Sequence, residues 1–280
     1  AIFVAVAVIQ IAVGGALGLG LGPLPRLGMA GVACGVLVAY TAAAVGLGLY
    51  LASGRARLRF DWRLAPLEPR LFGEILRVGA PACLAACQAI GVLTLLAHLA
   101  SQLSTDALAG YGIGARLELL LMPLTFAFGV SATPMVGAAI GAGDVARARR
   151  AAWTAGLLGF AATGTVGTIV AAVPSLWVGL FSSDAAVAAA ADTYLRLVGP
   201  AFAGFGLAHC LYYASQGSGR IVPMVLAQSF RLLVVVAGMI WITQAGLSLP
   251  RLVALAAAGL LAYGLAAIVA MRTSRWGERA

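Results

Sequence analysis

Long uncharged stretches recur along the whole chain and dominate its pattern. One of them, from Val78 to Thr105, runs for 28 residues without a formally charged side chain. A helix needs about 20 apolar residues to cross a hydrocarbon core about 30 Å thick. The pattern therefore predicts eight membrane spans, at about 3–21, 28–53, 73–102, 107–139, 146–180, 187–216, 221–245 and 249–271. We expect an all-α fold, a polytopic transmembrane helix bundle.

Composition and charge agree with a chain surrounded by membrane lipid. The chain is 62% hydrophobic, with a mean hydropathy of +1.02. Thirteen of its arginines lie in one alternate set of predicted loops, against Arg26 and Arg251 in the other set. Because arginine-rich loops remain cytoplasmic, we expect the inter-span linker and the C-terminus to face the cytoplasm at the bacterial inner membrane. The net charge of +9 then reflects topology, and no nucleic-acid partner is expected.

Two charged residues lie deep within predicted spans, where ionisable groups are costly and are candidates for function. Arg231 lies about ten residues into its span, and Glu118 lies about eleven residues into its own from the opposite side. At about 1.5 Å per residue both reach the middle of the membrane. We expect Glu118 to face the interior, where it either pairs with an arginine or titrates.

Further polar and aromatic candidates lie at similar depth. His209 is followed one turn later by Tyr212 and Tyr213. A histidine can change its charge near neutral pH, and aromatic rings attract organic cations. Gln88 also lies mid-span, where it needs a hydrogen-bond partner. These residues are candidates for a substrate or ion path, although a histidine satisfied by a neighbour on its own helix would have a structural role.

A glycine-rich turn separates two of the spans. Gly141 and Gly143 tolerate left-handed backbone at the end of a helix. Asp144 can cap the next helix by accepting its free N–H groups, and Arg147 follows at the cytoplasmic interface. The turn is predicted to act as a cytoplasmic hinge and cap.

Three stretches carry a resemblance to a known family. They are GLGPLPRLGMAGVA at 20–33, the segment 107–153 containing GVSATPMVGAAIGAGDVARARRAAW, and YASQGSGRIVPMVLAQSFR at 213–231. In residues, order and spacing they resemble the MATE (multidrug and toxic compound extrusion) family, and the resemblance covers essentially all 280 residues.

The resemblance implies a cation-coupled antiporter with two six-helix lobes that alternate around a central cavity. Residues 1–54 would be the last two helices of the N-terminal lobe and 55–72 a cytoplasmic linker. Residues 73–272 would then be the C-terminal lobe and 273–280 a cytoplasmic tail. The chain would lack the first four helices. The full-length transporter would work as a monomer and export lipophilic or cationic small molecules.

The coupling ion and two other functions remain open from the sequence. Some sodium-coupled members carry an acid midway along the seventh helix, where this chain has Gln88 and Ala89; coupling by a proton or by sodium is left open. A lipid-linked oligosaccharide flippase would show more basic residues in its cavity. A membrane-embedded transferase would need clustered acids for magnesium-bound diphosphate or a histidine-centred site, and nine scattered acids do not provide one. We expect no enzyme activity, cofactor or metal site.

Overall fold

The computed structural model describes residues 2–21, 25–54 and 69–277, and these contain nine helices and no strand. The helices are α1 (Ile2–Leu19), α2 (Met29–Ala52), α3 (Pro69–Leu103), α4 (Thr105–Gly141), α5 (Val145–Ala172), α6 (Ser175–Val178), α7 (Ala185–Gly217), α8 (Val222–Ala245) and α9 (Leu249–Thr273). Seven of them are long and apolar enough to cross a membrane, and α1 is apolar but shorter. The chain is a multi-pass membrane protein, as the hydrophobic pattern predicts.

The observed boundaries correct one predicted span. The fifth was expected over 146–180, but α5 ends at Ala172 and the four-residue α6 follows. Pro174 explains the break, because proline disfavours helical backbone at the preceding residue and cannot donate a hydrogen bond of its own. Helix α3 begins at Pro69, so residues 69–72 of the predicted linker are helical. Residues 55–68 of that linker lie outside the described residues.

The chain divides into two compact units, residues 1–68 and residues 69–280. In the first unit α1 and α2 pack together as a hairpin. Glycines form their contact: a Cβ built on Gly14 would lie 3.7 Å from the Cα of Gly35. Small residues allow two backbones to approach closely, which is how membrane helices pack when lipid offers no hydrophobic contrast.

In the second unit α7 is the central helix and packs against α4, α5 and α9. Tyr194, Phe202 and Phe205 of α7 are almost completely buried. The contact with α5 also contains a polar bridge, in which Thr163 Oγ1 donates to the carbonyl of Phe202 at 2.8 Å. A hydroxyl that finds a carbonyl partner inside the bundle avoids an unsatisfied group in the membrane.

The remaining helices of the second unit complete its wall. Helix α8 packs against α3 and α9, and α3 also contacts α4. Arg149 holds the end of α9 against α5, because its guanidinium donates to the carbonyls of Met271 and Ser274. Helices α3, α4, α7, α8 and α9 surround a cavity.

Candidate functional site

A cavity of about 310 Å³ lies among five helices of the second unit. Small residues of α3, including Ala85 and Ala89, leave this space open. The other helices contribute larger side chains, which are Glu118 and Met122 of α4, Phe205, His209, Tyr212 and Tyr213 of α7, Gln228 and Arg231 of α8, and Tyr263 of α9. Five of the six predicted path residues therefore line one cavity.

An ion pair forms the charged part of the cavity wall. Arg231 Nη2 donates to Glu118 Oε1 at 3.0 Å, and both side chains are only 3% exposed. The structure shows Glu118 paired with an arginine. This contact joins α4 to α8. Because both side chains are buried, removing either charge would leave the other without a partner.

An aromatic cluster forms a second part of the wall. The ring of His209 lies 4.9 Å from that of Phe205 and 5.1 Å from that of Tyr213, measured between centroids. His209 Nε2 also approaches the Tyr213 hydroxyl at 3.4 Å, and the Tyr212 ring lies 5.4 Å from the Tyr213 ring. These residues follow each other at helical spacing on α7, so one face of that helix presents ring surfaces to the cavity.

Gln88 lies outside this cavity, although it was predicted to be a path residue. Its Nε2 donates to Ser229 Oγ of α8 at 2.7 Å, and it is not among the lining residues. An amide inside the bundle turns toward an available hydroxyl in preference to an apolar space. Its neighbour Ala89 lines the cavity instead.

Gln228 lines the cavity but is not among the path residues predicted from the sequence. It lies one turn before Arg231 on α8, lines the cavity and is 3% exposed. Helical residues three apart share a face. The spacing from Arg231 was therefore a signal that could have identified it. Phe205, four residues before His209, could have been found in the same way.

The turn between α4 and α5 has the geometry of a helix stop followed by a cap. Gly143 has a φ of 77°, a backbone conformation that suits glycine. The backbone N–H of Asp144 donates to Ala139 O at 2.9 Å, and the Asp144 carboxylate accepts from the Arg147 backbone N–H at 2.8 Å. Gly141 is the last residue of α4 and has no positive φ. These contacts belong to the turn itself, away from the cavity.

Two other polar residues lie on the exposed surface of the bundle. Arg116 is exposed and lies over the ring of Phe181, 4.9 Å from its centroid. His98 contacts Gln102 on the exposed side of α3. Among residues 2–21, 25–54 and 69–277, no group of three His, Cys, Asp or Glu is arranged to hold a metal ion.

Apolar helices of membrane-crossing length, surrounding a cavity with a buried ion pair, define a polytopic membrane protein with an internal polar site. The MatE family model matches residues 81–242 of this chain. The match includes most of the cavity wall and extends over more than half of the sequence. The chain belongs to the MatE family.

Curated relatives that are similar to this chain are named as multidrug resistance proteins. A probable multidrug resistance protein NorM of Aromatoleum aromaticum is 34% identical over 181 residues, which are 60% of this chain and 37% of that protein. The multidrug resistance protein NorM of Burkholderia vietnamiensis is 30% identical over 63% of this chain and 38% of its own length. The chain therefore spans well under half the length of these relatives.

Solved structures with the same fold are transporters. A transporter of the MOP superfamily from Pyrococcus furiosus superposes with a TM-score of 0.86 at 18% identity, covering 97% of this chain and 60% of the other. A mutant of the MATE transporter VcmN from Vibrio cholerae gives a TM-score of 0.84 at 16% identity, with the same coverage. At such identities these likenesses establish the fold alone.

Proposed function

We propose that the chain is part of a secondary active multidrug exporter of the bacterial inner membrane. Two lobes would alternate in access, and inward flow of protons or sodium ions would drive export of lipophilic or cationic small molecules. In this arrangement residues 73–272 form the C-terminal lobe, and the linker and C-terminus face the cytoplasm. The observation that carries the proposal is the cavity, which joins a buried ion pair to an aromatic wall.

The aromatic wall supports the substrate part of the proposal. Rings of Phe205, His209, Tyr212 and Tyr213 offer flat apolar surface and, on their faces, negative potential. Such surfaces accept flat hydrophobic groups and also attract organic cations. A wall of this kind recognises shape and polarity more than one defined pattern of hydrogen bonds, which suits a range of compounds.

The ion pair supports the coupling part. Glu118 is the one carboxylate among the described residues that line the cavity. A proton or a sodium ion reaching Glu118 would compete with Arg231 for the carboxylate. Releasing Arg231 would loosen the contact between α4 and α8, and a bound ion would in this way change how two helices of the lobe pack. Ion binding and helix movement would be linked through this single contact.

Transport into everted membrane vesicles tests the proposal. The gene is expressed from its whole reading frame in a bacterial host without its own drug exporters, and uptake of ethidium and of an uncharged dye is followed by fluorescence. We expect uptake that depends on an imposed proton or sodium gradient and stops when the matching ionophore removes it. Glu118→Gln is expected to abolish gradient-driven uptake, whereas Asp192→Asn, an acid on the exposed surface of α7, should retain it.

Two results would contradict the proposal. Absence of gradient-driven uptake for ethidium and for an uncharged dye would remove the transport function. Full uptake by the Glu118→Gln protein at normal expression would keep the transport function but remove the role of Glu118 in coupling.

A further inference from the structure

Two buried donor groups in the cavity wall have no acceptor. As whole residues, Gln228 and Arg231 are 3% and 2% exposed, and both line the cavity. Within the part of the chain that the structure describes, Gln228 Nε2 and Arg231 Nε have no hydrogen-bond partner. Buried polar groups almost always have partners, so two unpartnered donors one helical turn apart indicate that an acceptor from outside the chain belongs beside them.

The charge of the wall indicates what kind of acceptor this is. Arg231 already neutralises Glu118 across 3.0 Å, and the other lining residues carry no formal charge apart from any proton on His209. An anion entering the cavity would gain from Arg231 but would also meet the like charge of Glu118. A cation would gain from Glu118 but would also meet the like charge of Arg231. In a poorly solvated space these like-charge contacts are not screened by water, so an uncharged acceptor suits the wall best.

The size and the apolar surface of the cavity narrow the ligand further. A volume of about 310 Å³ is at the small end of the range for small-molecule sites. Apart from the polar groups of α8, Glu118 and the polar atoms of the aromatic cluster, the wall consists of alanine, leucine, isoleucine, methionine and ring surfaces. The space suits one or two fused rings with a single polar end.

We propose that the α8 wall is a donor site for the carbonyl oxygen of an uncharged, mainly apolar ligand, with Gln228 and Arg231 as the donors. The ring system of the ligand lies against Phe205, His209 and Tyr213. This deepens the proposed function, on which it rests for the direction of transport, by naming the substrate class that this cavity selects. Binding itself can be measured without transport.

Four naphthalene probes of matched size test the site. They are 2-acetylnaphthalene, 2-ethylnaphthalene, 2-naphthoate and 2-(aminomethyl)naphthalene. Binding to the purified transporter, produced from its whole reading frame and held in lipid nanodiscs, is measured by calorimetry against empty nanodiscs. We expect the ketone to bind roughly three- to tenfold more tightly than the ethyl compound, the range that one or two net hydrogen bonds provide. The carboxylate and the ammonium compound should both bind more weakly than the ketone.

Two substitutions separate this site from unspecific apolar binding. Gln228→Met keeps the length of the side chain but removes the donor without breaking the ion pair, and it should reduce the preference for the ketone over the ethyl compound at least threefold. Glu118→Gln leaves the wall with the charge of Arg231 alone, and it should shift the preference toward 2-naphthoate. Gln102→Met changes an exposed glutamine of α3 away from the cavity and is the matched control.

The inference is overturned if the ammonium compound binds most tightly to the natural protein and Glu118→Gln weakens it, because Glu118 would then be a cation site. It is also overturned if Gln228→Met affects the ketone and the ethyl compound equally, or if the ketone does not bind up to its solubility limit. A donor-dependent ketone preference in a protein that exports nothing in the vesicle assay would support this site while contradicting the proposed function.

Discussion

The contact between Glu118 and Arg231 determines what each charge can do. Two ions taken from water into a bundle lose much solvation, and their attraction offsets that loss only when the geometry is good. At 3.0 Å, with both side chains 3% exposed, the two charges are close together and buried. The pair is therefore expected to matter more when one member is lost than when both are replaced.

A double-mutant cycle tests this expectation. Glu118→Leu and Arg231→Leu should each lower the free energy of unfolding by about 3–5 kcal/mol, because each leaves a buried charge without a partner. The double substitution should cost clearly less than the sum of the two, since no isolated charge remains. Unfolding of the purified protein in detergent, followed by circular dichroism, measures all four proteins. Additive losses would show that the two side chains do not stabilise one another.

At the residue scale the sequence predicted that two charges lie together better than it predicted the direction of other side chains. The spacing from the span ends placed Glu118 and Arg231 near the membrane centre, and the structure joins them. Counting along one helix gives no information about its rotation relative to a neighbour. For this reason Gln88 was expected in the cavity but donates to Ser229 on α8, and Gln228 was overlooked. Only the packing of α3 against α8 decides these two orientations.

Helix α4 meets α7 through a glycine that leaves no room for a side chain. A Cβ built on Gly110 would lie 2.7 Å from Ala190 Cβ and 2.8 Å from Ala191 N, whereas one built on Gly112 meets nothing within 4 Å. Gly110→Ala should therefore force α4 away from α7 and cost about 1–3 kcal/mol of stability. Gly112→Ala, two residues away on the same helix, should be neutral or stabilise by up to about 1 kcal/mol. Thermal unfolding in detergent compares them, and equal effects would contradict the close contact.

The cap of α5 permits a second test at this scale. Asp144→Ala removes the carboxylate that accepts from the Arg147 backbone N–H at 2.8 Å, and it should cost about 1 kcal/mol of stability. Asp144→Asn keeps an acceptor and should change the free energy of unfolding by only a few tenths of a kcal/mol. If Asp144→Asn preserves stability but stops ethidium export, the negative charge acts in transport, and the turn is more than a cap.

The order of the long helices could be read from the apolar runs because every crossing needs about 20 such residues, whereas the four-residue α6 was not predicted. The observed bounds of α2 and α8 lie within one residue of those predicted. The end of α5 could not be read, because Val173, Leu176, Trp177 and Val178 are as apolar as a membrane helix. There Pro174 ends the helix while hydrophobicity continues, and backbone chemistry takes precedence over the hydrophobic pattern.

For the whole molecule, the arginine distribution predicts which ends of the helices face the cytoplasm. The turn at 142–144 precedes three arginines, whereas the loop at 182–184 has none. Single cysteines at these exposed turns, Ala142→Cys and Ser183→Cys, are introduced after the native cysteines are replaced by alanine. In intact cells a membrane-impermeant maleimide should label Ser183→Cys and should label Ala142→Cys only after the cells are opened. The reverse pattern would invert the proposed orientation.

The two-lobe mechanism remains a proposal that rests on the resemblance of three sequence stretches to the MATE family. The chain spans 37–38% of the two relatives described above, and an arrangement of lobes depends on contacts between distant helices. What the structure contributes is the cavity within the second unit. If the proposed function is correct, that cavity lies on the path of the exported compound.

Blocking the cavity is the most direct test of this central claim. Ala89 of α3 lines the cavity, whereas Leu84 on the same helix is 53% exposed and does not. Efflux of an uncharged fluorescent naphthyl ketone is measured for Ala89→Trp and Leu84→Trp at equal expression and equal thermal stability. We expect the indole at position 89 to stop most efflux and the indole at position 84 to leave it at the natural rate. Equal efflux from both proteins would show that the exported compound does not pass through this cavity.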